Sequence, residues 1–253
     1  MKIIVTKPCF DDIGKVLKLL DIKYKDYSGN LDCDIFFLNC GTGDVVDKKK
    51  LSDFVRKGGI LYASDLTSTF VSDVFPNIFD FAGNIGEAGE VSATVCDEEL
   101  INIIGNTISV NFDLGVWSVL NSVKKGKIIL KSKTNNKPIM VEVPFEKGKI
   151  FYTCFHNHKQ ATEKETIILK LLILKQLGEY KKVSIEKISE ELNINLSDYK
   201  KHFIGNFLQP DKKEVTPTPP GISKKNDIWE KLGQSENKEK ELEKNKNKDI
   251  WKF

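Results

Sequence analysis

The chain of 253 residues contains a single arginine, Arg56, among 39 basic residues, and its net charge is only +3. Arginine supplies the bidentate contacts that read phosphates and guanine, and a basic stripe supplies the field. With neither, a sequence-specific nucleic-acid reader is not expected. No apolar run is long enough to span a bilayer: the longest, near Ile167–Leu174, is short and interrupted by Lys170. The opening MKIIVTKPCF lacks the apolar core of a signal peptide. No C-x-x-C pair occurs among the five cysteines (Cys9, Cys33, Cys40, Cys96, Cys154), so a zinc ribbon is not indicated, and their odd number and apolar settings read as reduced core thiols of a cytoplasmic protein. No G-K-[ST] and no complete G-x-G-x-x-G is present, which removes the usual nucleotide fingerprints.

What is present alternates between strand and helix patterns. Lys2–Thr6 is a short β-branched run, and Ile13, Val16, Leu17 and Leu20 have helical spacing within Asp11–Leu20, which Asp12 could cap. Ile22–Tyr24 reads as a short second strand. Asp34–Asn39 is a continuous apolar run, as expected of a parallel strand covered on both faces. A helix over Asp47–Lys57 stops at Gly58–Gly59, a buried strand follows at Gly59–Ala63, and a helix at Thr67–Phe75. Further extended segments are read at 90–96, 107–111, 127–131, 139–144 and 149–155, the last two joined by a turn at Glu146–Gly148. An apolar helix over Glu163–Leu177 is closed by Gly178. The expected fold is therefore α/β over residues 1–178: a mostly parallel sheet sandwiched by helices, with an antiparallel, strand-rich extension.

Residues 179–209 read as a helical appendage of two short helices broken at Asn193–Asn195. They have the length of a helix–turn–helix, but Glu190–Glu191 and the lack of arginine favour a structural add-on. From residue 210 the chain changes to a rigid Pro217, Pro219, Pro220 spacer and a polyampholyte too polar to bury a core, so a disordered tail is expected. Two tryptophans interrupt it, in NDIWEKLG (226–233) and KDIWKF (248–253). Tryptophan is a common interface anchor, and a repeated motif on a flexible linker builds avidity. Asp227, Ile228, Trp229, Asp249, Ile250, Trp251 and Phe253 are thus expected to bind a protein partner.

Two stretches, LSDFVRKGGILYASDLTSTF (51–70) and FEKGKIFYTCFHNH (145–158), resemble the class I glutamine amidotransferase-like, flavodoxin-like superfamily, including its ThuA-like relatives. The first is similar to the helix, double glycine, strand and nucleophile elbow of that fold. The second is similar to its late hairpin and histidine. The resemblance spans about residues 1–178. It implies that Ser64 stands at the nucleophile, His156 at the catalytic histidine and His158 at the residue orienting it. Tyr62 and Leu66 stand where small elbow glycines would flank Ser64, so glutamine hydrolysis by that family's mechanism is not expected.

Two functions remain from this reading. The first is a non-catalytic binding or scaffold protein that recruits a partner through the tail. The second is a small-molecule hydrolase or ligand-binding enzyme using Ser64 with His156 and His158, since strands of one parallel sheet deliver residues to a common carboxyl edge. The plainer role for Ser64 is to cap the next helix. Asn39, Gly41, Gly43, Asp44 and Asp65 at the same edge could hold a ligand or anion, or simply form tight turns. Cys40 has no base adjoining it along the chain, so it reads as an inert thiol at a strand end. His156 and His158 could join Asp44 or Asp65 around a metal, but spacing identifies no third ligand, so neither metal nor cofactor is expected. A phospho-acceptor role fails because the end of the DIFFLN strand is Asn39, and a flavin-cradling loop is lacking after strand 1.

Overall fold

The computed structural model describes residues 1–156 and 163–204. The roles expected of His158 and of the tail residues 227–253 lie outside the described residues. Among those described, nine strands form one sheet. In chain order they are β1 (Ile3–Val5), β2 (Lys25–Asp26), β3 (Ile35–Leu38), β4 (Ile60–Ser64), β6 (Gly89–Val95), β7 (Thr107–Phe112), β9 (Lys127–Ser132), β10 (Pro138–Phe145) and β11 (Gly148–Thr153), while β5 (Phe79–Asn84) and β8 (Ser118–Val123) pair separately. The order across the sheet is β2-β1-β3-β4-β11-β10-β9-β6-β7. The first five strands are parallel to one another, and from β11 onward each pairing is antiparallel. The expected α/β class, with parallel core strands and an antiparallel extension, is what the chain adopts.

The parallel half is built from strands buried along their whole length, such as β3 and β4. Helix α1 (Ile13–Leu19) leads from β1 to β2, and α2 (Lys48–Arg56) leads from β3 to β4 in the opposite direction across the sheet. With right-handed crossovers the two helices cover opposite faces. Helix α1 packs against α5 (Glu163–Lys181), and α2 packs against α3 (Ser68–Val74). Helices α4 (Glu98–Ile104), α6 (Ile185–Glu191) and α7 (Leu196–Lys201) complete the described part. The α6 and α7 pair matches the expected break near Asn193–Asn195 and packs on α5 and α4 within one compact unit, Met1–Pro210.

Three local expectations are corrected, and three elements are added. The second strand is not Ile22–Tyr24: Ile22 turns into the core, and the edge strand is the exposed pair Lys25–Asp26, in register with Ile4 and Val5. Asp12 makes no side-chain cap on α1; instead Asn39 Oδ1, from the end of β3, accepts the Ile13 amide at 3.0 Å. Gly178 does not end α5, which continues to Lys181. A Cβ on Gly178 would lie 2.7 Å from the Val183 carbonyl oxygen, so glycine is there to let the returning chain pass. The two strands β5 and β8 and helix α4 have no counterpart among the elements expected from the sequence.

Gly148 carries the turn into β11. A Cβ there would meet the Val55 and Gly59 carbonyl oxygens at 2.2 and 2.3 Å. That close approach lets β11 enter beside β4 in parallel register, Lys149 opposite Ile60 and Thr153 opposite Ser64.

At the other end of the antiparallel half, Asp97 caps α4 by accepting the Leu100 amide, and its buried carboxylate pairs with Lys127 and with Lys175 of α5, the latter at 3.0 Å. Burial pushes the Asp97 carboxyl up, but the two lysines outweigh it and hold it below its ordinary range. Asp97→Asn keeps the cap and leaves Lys175 short of a counter-charge. Breaking a buried pair costs about 3–5 kcal/mol, and Glu99 and Glu179 near Lys175 place this variant at the lower end. The depressed carboxyl stabilises the fold above the unfolded value of about 3.9 and loses that contribution as pH falls through the folded value. Denaturant melts of wild type and Asp97→Asn are therefore expected to differ at neutral pH and to converge in acid.

Candidate functional site

The carboxyl ends of β1, β3, β4 and β11 are neighbours, and the residues just beyond them form one buried polar cluster. Leu38 of β3 pairs with Ala63 of β4, so Cys40 and Asp65, two residues further along each strand, come level. His156 follows β11 by three residues, and Asp11 follows β1 on the other side of β3. Asp11, Cys40, Ser64, Asp65 and His156 are all buried.

Asp65, not Ser64, occupies the sharp turn between β4 and the next helix. Its φ is +42°, in the left-handed region, whereas Ser64 is extended at φ −129°. A non-glycine residue there costs on the order of 1–3 kcal/mol and persists only where its surroundings hold it. Shifting the elbow by one residue also changes the steric argument. The residues two before and two after Asp65 are Ala63 and Thr67, smaller than the Tyr62 and Leu66 that flank Ser64. The elbow is therefore formed, but it presents a carboxylate.

Both carboxylate oxygens and the carbonyl oxygen of Asp65 are engaged. Its Oδ1 accepts the Ser118 amide at 2.8 Å, its carbonyl oxygen accepts the Tyr152 hydroxyl, and its Oδ2 lies 3.3 Å from His156 Nε2 and 3.9 Å from Cys40 Sγ. On the far side of the imidazole, Nδ1 is 2.8 Å from Asp113 Oδ1. His156 is thus held between two carboxylates. Burial pushes its pKa down, but Asp65, Asp11 and Asp113 outweigh this and hold it above the ordinary histidine value. The Cys40 thiol moves far the other way from reactivity: burial, with the Asp65 and Asp11 charges, pushes its pKa well above the ordinary thiol value.

Ser64 faces a different partner. Its hydroxyl donates to Asp11 Oδ2 at 2.9 Å and accepts the Cys40 amide at 3.2 Å. It makes no side-chain cap on the following helix, so the capping role expected from the sequence is replaced by a bridge between the β1 and β3 ends. Asn39 is likewise spent on structure: it donates Nδ2–H to the Thr6 carbonyl, donates its amide to Thr6 Oγ1 and caps α1. Gly41 has φ +84° and packs against Phe10 and Cys9, Gly43 packs under Phe70, and Asp44 lies exposed in the short turn Gly43–Val45. Of the residues expected to hold a ligand, only Asp65 joins the cluster.

Asp113 and Ser118 carry no signal in the sequence that would single them out. Asp113 lies 43 residues before His156, and nothing in the local pattern of the 113–118 segment marks it. Cys40 lacks a base along the chain; the base and the carboxylate come to it across the sheet.

Searched by sequence, the chain matches no protein-family model and no curated protein. Among solved structures it is similar to a candidate GMP synthase subunit from Thermoplasma acidophilum, with 14% identity, a TM-score of 0.51, and coverage of 72% of this chain and 98% of that one. It is also similar to a ThuA-like protein from Bacteroides uniformis, with 9% identity, a TM-score of 0.52, and coverage of 73% and 94%. The chain has the class I glutamine amidotransferase-like fold. At such identities the likeness concerns the fold alone. In this chain the sharp turn after β4 falls at Asp65, one residue beyond Ser64, and His156 stands three residues past β11.

Ser64→Ala tests whether the serine is a structural bridge. Leaving a buried acceptor without its donor costs about 1–3 kcal/mol. We expect Ser64→Ala to lower stability by that amount in denaturant melts. A variant as stable as wild type would show that the Asp11–Ser64–Cys40 bridge contributes nothing.

Proposed function

We propose that this chain is a non-catalytic member of the amidotransferase-like fold, working in the cytoplasm as a binding scaffold that recruits a protein partner through the tail motifs around Trp229 and Trp251. The reading rests on one observation above others: the elbow carries Asp65, a carboxylate with both oxygens engaged, where thioester chemistry needs a thiol. The neighbouring hydroxyl, Ser64, is committed to Asp11. Five free cysteines accord with a reducing compartment, and no helix among the described residues is long and apolar enough to cross a membrane. For the tail, the support is the twice-used Asp-Ile-Trp tripeptide in a stretch otherwise poor in apolar residues.

A second reading keeps an enzyme at this edge. It is favoured by the His156–Asp113 pair, a base oriented by a carboxylate at hydrogen-bond distance. Ser64 would have to leave Asp11 to serve as its nucleophile.

Both halves are testable. The purified chain is expected to release ammonia from glutamine no faster than buffer does; release abolished by His156→Ala would overturn the non-catalytic half. For recruitment, the partner recovered from the native cell with tagged wild type is identified and its affinity measured against purified chain. Two linked sites exceed one by roughly 10²–10⁴, so Trp229→Ala or Trp251→Ala alone should weaken binding within that range, and the double variant should abolish it. Equal affinity in wild type and double variant would defeat the docking role.

A further inference from the structure

We propose that Cys40, Asp65 and His156 together bind one zinc-class divalent cation at the carboxyl edge of the sheet. The proposal is independent of the scaffold reading and of the tail.

The donor atoms already stand near the separations that a tetrahedral ion imposes. Bond lengths of about 2.0–2.1 Å to imidazole nitrogen, about 2.0–2.2 Å to carboxylate oxygen and about 2.3 Å to thiolate sulfur give edges of roughly 3.4 Å for N to O and roughly 3.6 Å for S to O. The chain holds His156 Nε2 3.3 Å from Asp65 Oδ2, and Cys40 Sγ 3.9 Å from the same oxygen. All three ligand atoms lie within 4.8 Å of one another, and all three residues are buried. The adjustment left to complete the triangle lies on the Cys40 side, where the thiol approaches the other two donors. The side chains come from the ends of three adjacent strands, β3, β4 and β11, which fix their backbones independently.

The surrounding shell is arranged as metal sites require. A ligating histidine characteristically donates its other ring N–H to a carboxylate, which sets the tautomer and aims the free nitrogen at the ion. Asp113 Oδ1 sits 2.8 Å from His156 Nδ1 and directs Nε2 toward Cys40 and Asp65. A ligating carboxylate is itself oriented by a hydrogen bond, and the Ser118 amide takes Asp65 Oδ1, leaving Oδ2 turned to the other two donors. The charge balance points the same way. Asp65 and Asp113 flank one buried imidazole, and the Asp11 charge adds to theirs. A divalent cation supplies what one imidazolium cannot.

The donor set selects the metal. One thiolate and one imidazole with a single carboxylate suit Zn²⁺, whereas Mg²⁺ and Ca²⁺ take oxygen shells. On loading, the Cys40 S–H bond and the Nε2–H bond of a charged His156 break, both protons leave to solvent, and Zn–S and Zn–N bonds form beside the Zn–O bond to Asp65, with no change of oxidation state. Three protein ligands leave a tetrahedral ion one position for water or a small ligand.

The test uses the full chain, stripped with chelator and titrated with Zn²⁺ by calorimetry, and with Co²⁺ by absorption. We expect one ion per chain and, with Co²⁺, a thiolate-to-metal charge-transfer band. Cys40→Ser should remove the band and weaken Zn²⁺ binding at least tenfold. The triple variant Cys9→Ser/Cys33→Ser/Cys96→Ser, which spares the cluster, should keep both. Asp113→Asn retains every ligand and should weaken binding about 10–100-fold, so it reports on the site even if Cys40→Ser folds poorly. The Trp229→Ala/Trp251→Ala chain should bind the ion as wild type does, which separates this result from the fate of the recruitment reading. No stoichiometric uptake by wild type, or uptake unchanged in both Cys40→Ser and Asp113→Asn, would overturn the proposal.

Discussion

The carboxylate of Asp65 is the point on which this edge of the fold depends. It sits at the end of β4 in a left-handed backbone conformation, and three further elements converge on it. The start of β8 reaches it through the Ser118 amide, β11 through the Tyr152 hydroxyl and, just beyond the strand, through His156, and the end of β3 through Cys40. A buried carboxylate is tolerated only where hydrogen bonds and opposite charge replace water. The positions of those donors are therefore constrained as a group, and the strained turn is held by the contacts it makes possible.

That constraint explains why polar side chains gather at this edge around a sharp turn. Parallel strands delivered in register will place side chains together at one rim whatever those side chains are. Here the rim gathers a sharp turn at Asp65, a buried histidine and the Asp113 carboxylate, and what such a set does follows from these side chains rather than from the fold. Ser64, adjacent in sequence to the elbow, points to Asp11 instead, because successive residues of a strand face opposite sides and the turn begins only at Asp65.

The parallel half is readable because its signals are local. IFFL and ILYAS are continuous apolar runs, α2 ends at a double glycine, and both features depend on a few neighbouring residues. Strands β5 and β8 escape such a reading because they are mixed in polarity and only partly buried. Gly178 misleads because a glycine that permits close passage of Val183 looks the same in a sequence as one that stops a helix. The one-residue displacement at the elbow has the same origin: φ at Ser64 and Asp65 is set by how β4 meets the helix beneath it, and either residue type suits such a turn.

The sequence by itself determined the fold class, the strand and helix order of the first 75 residues, the late strand leading to His156 and the break between α6 and α7, since each follows from hydrophobic period and turn chemistry within a short window. It also determined the repeated Asp-Ile-Trp, which is a property of the chain alone. Tertiary structure decided which residue stands at the elbow, that Asp113 pairs with His156, and that Cys40 belongs to the same cluster. Those contacts join residues 25 to 91 positions apart. Their geometry depends on the pairing of β3, β4 and β11, which no local pattern along the chain encodes.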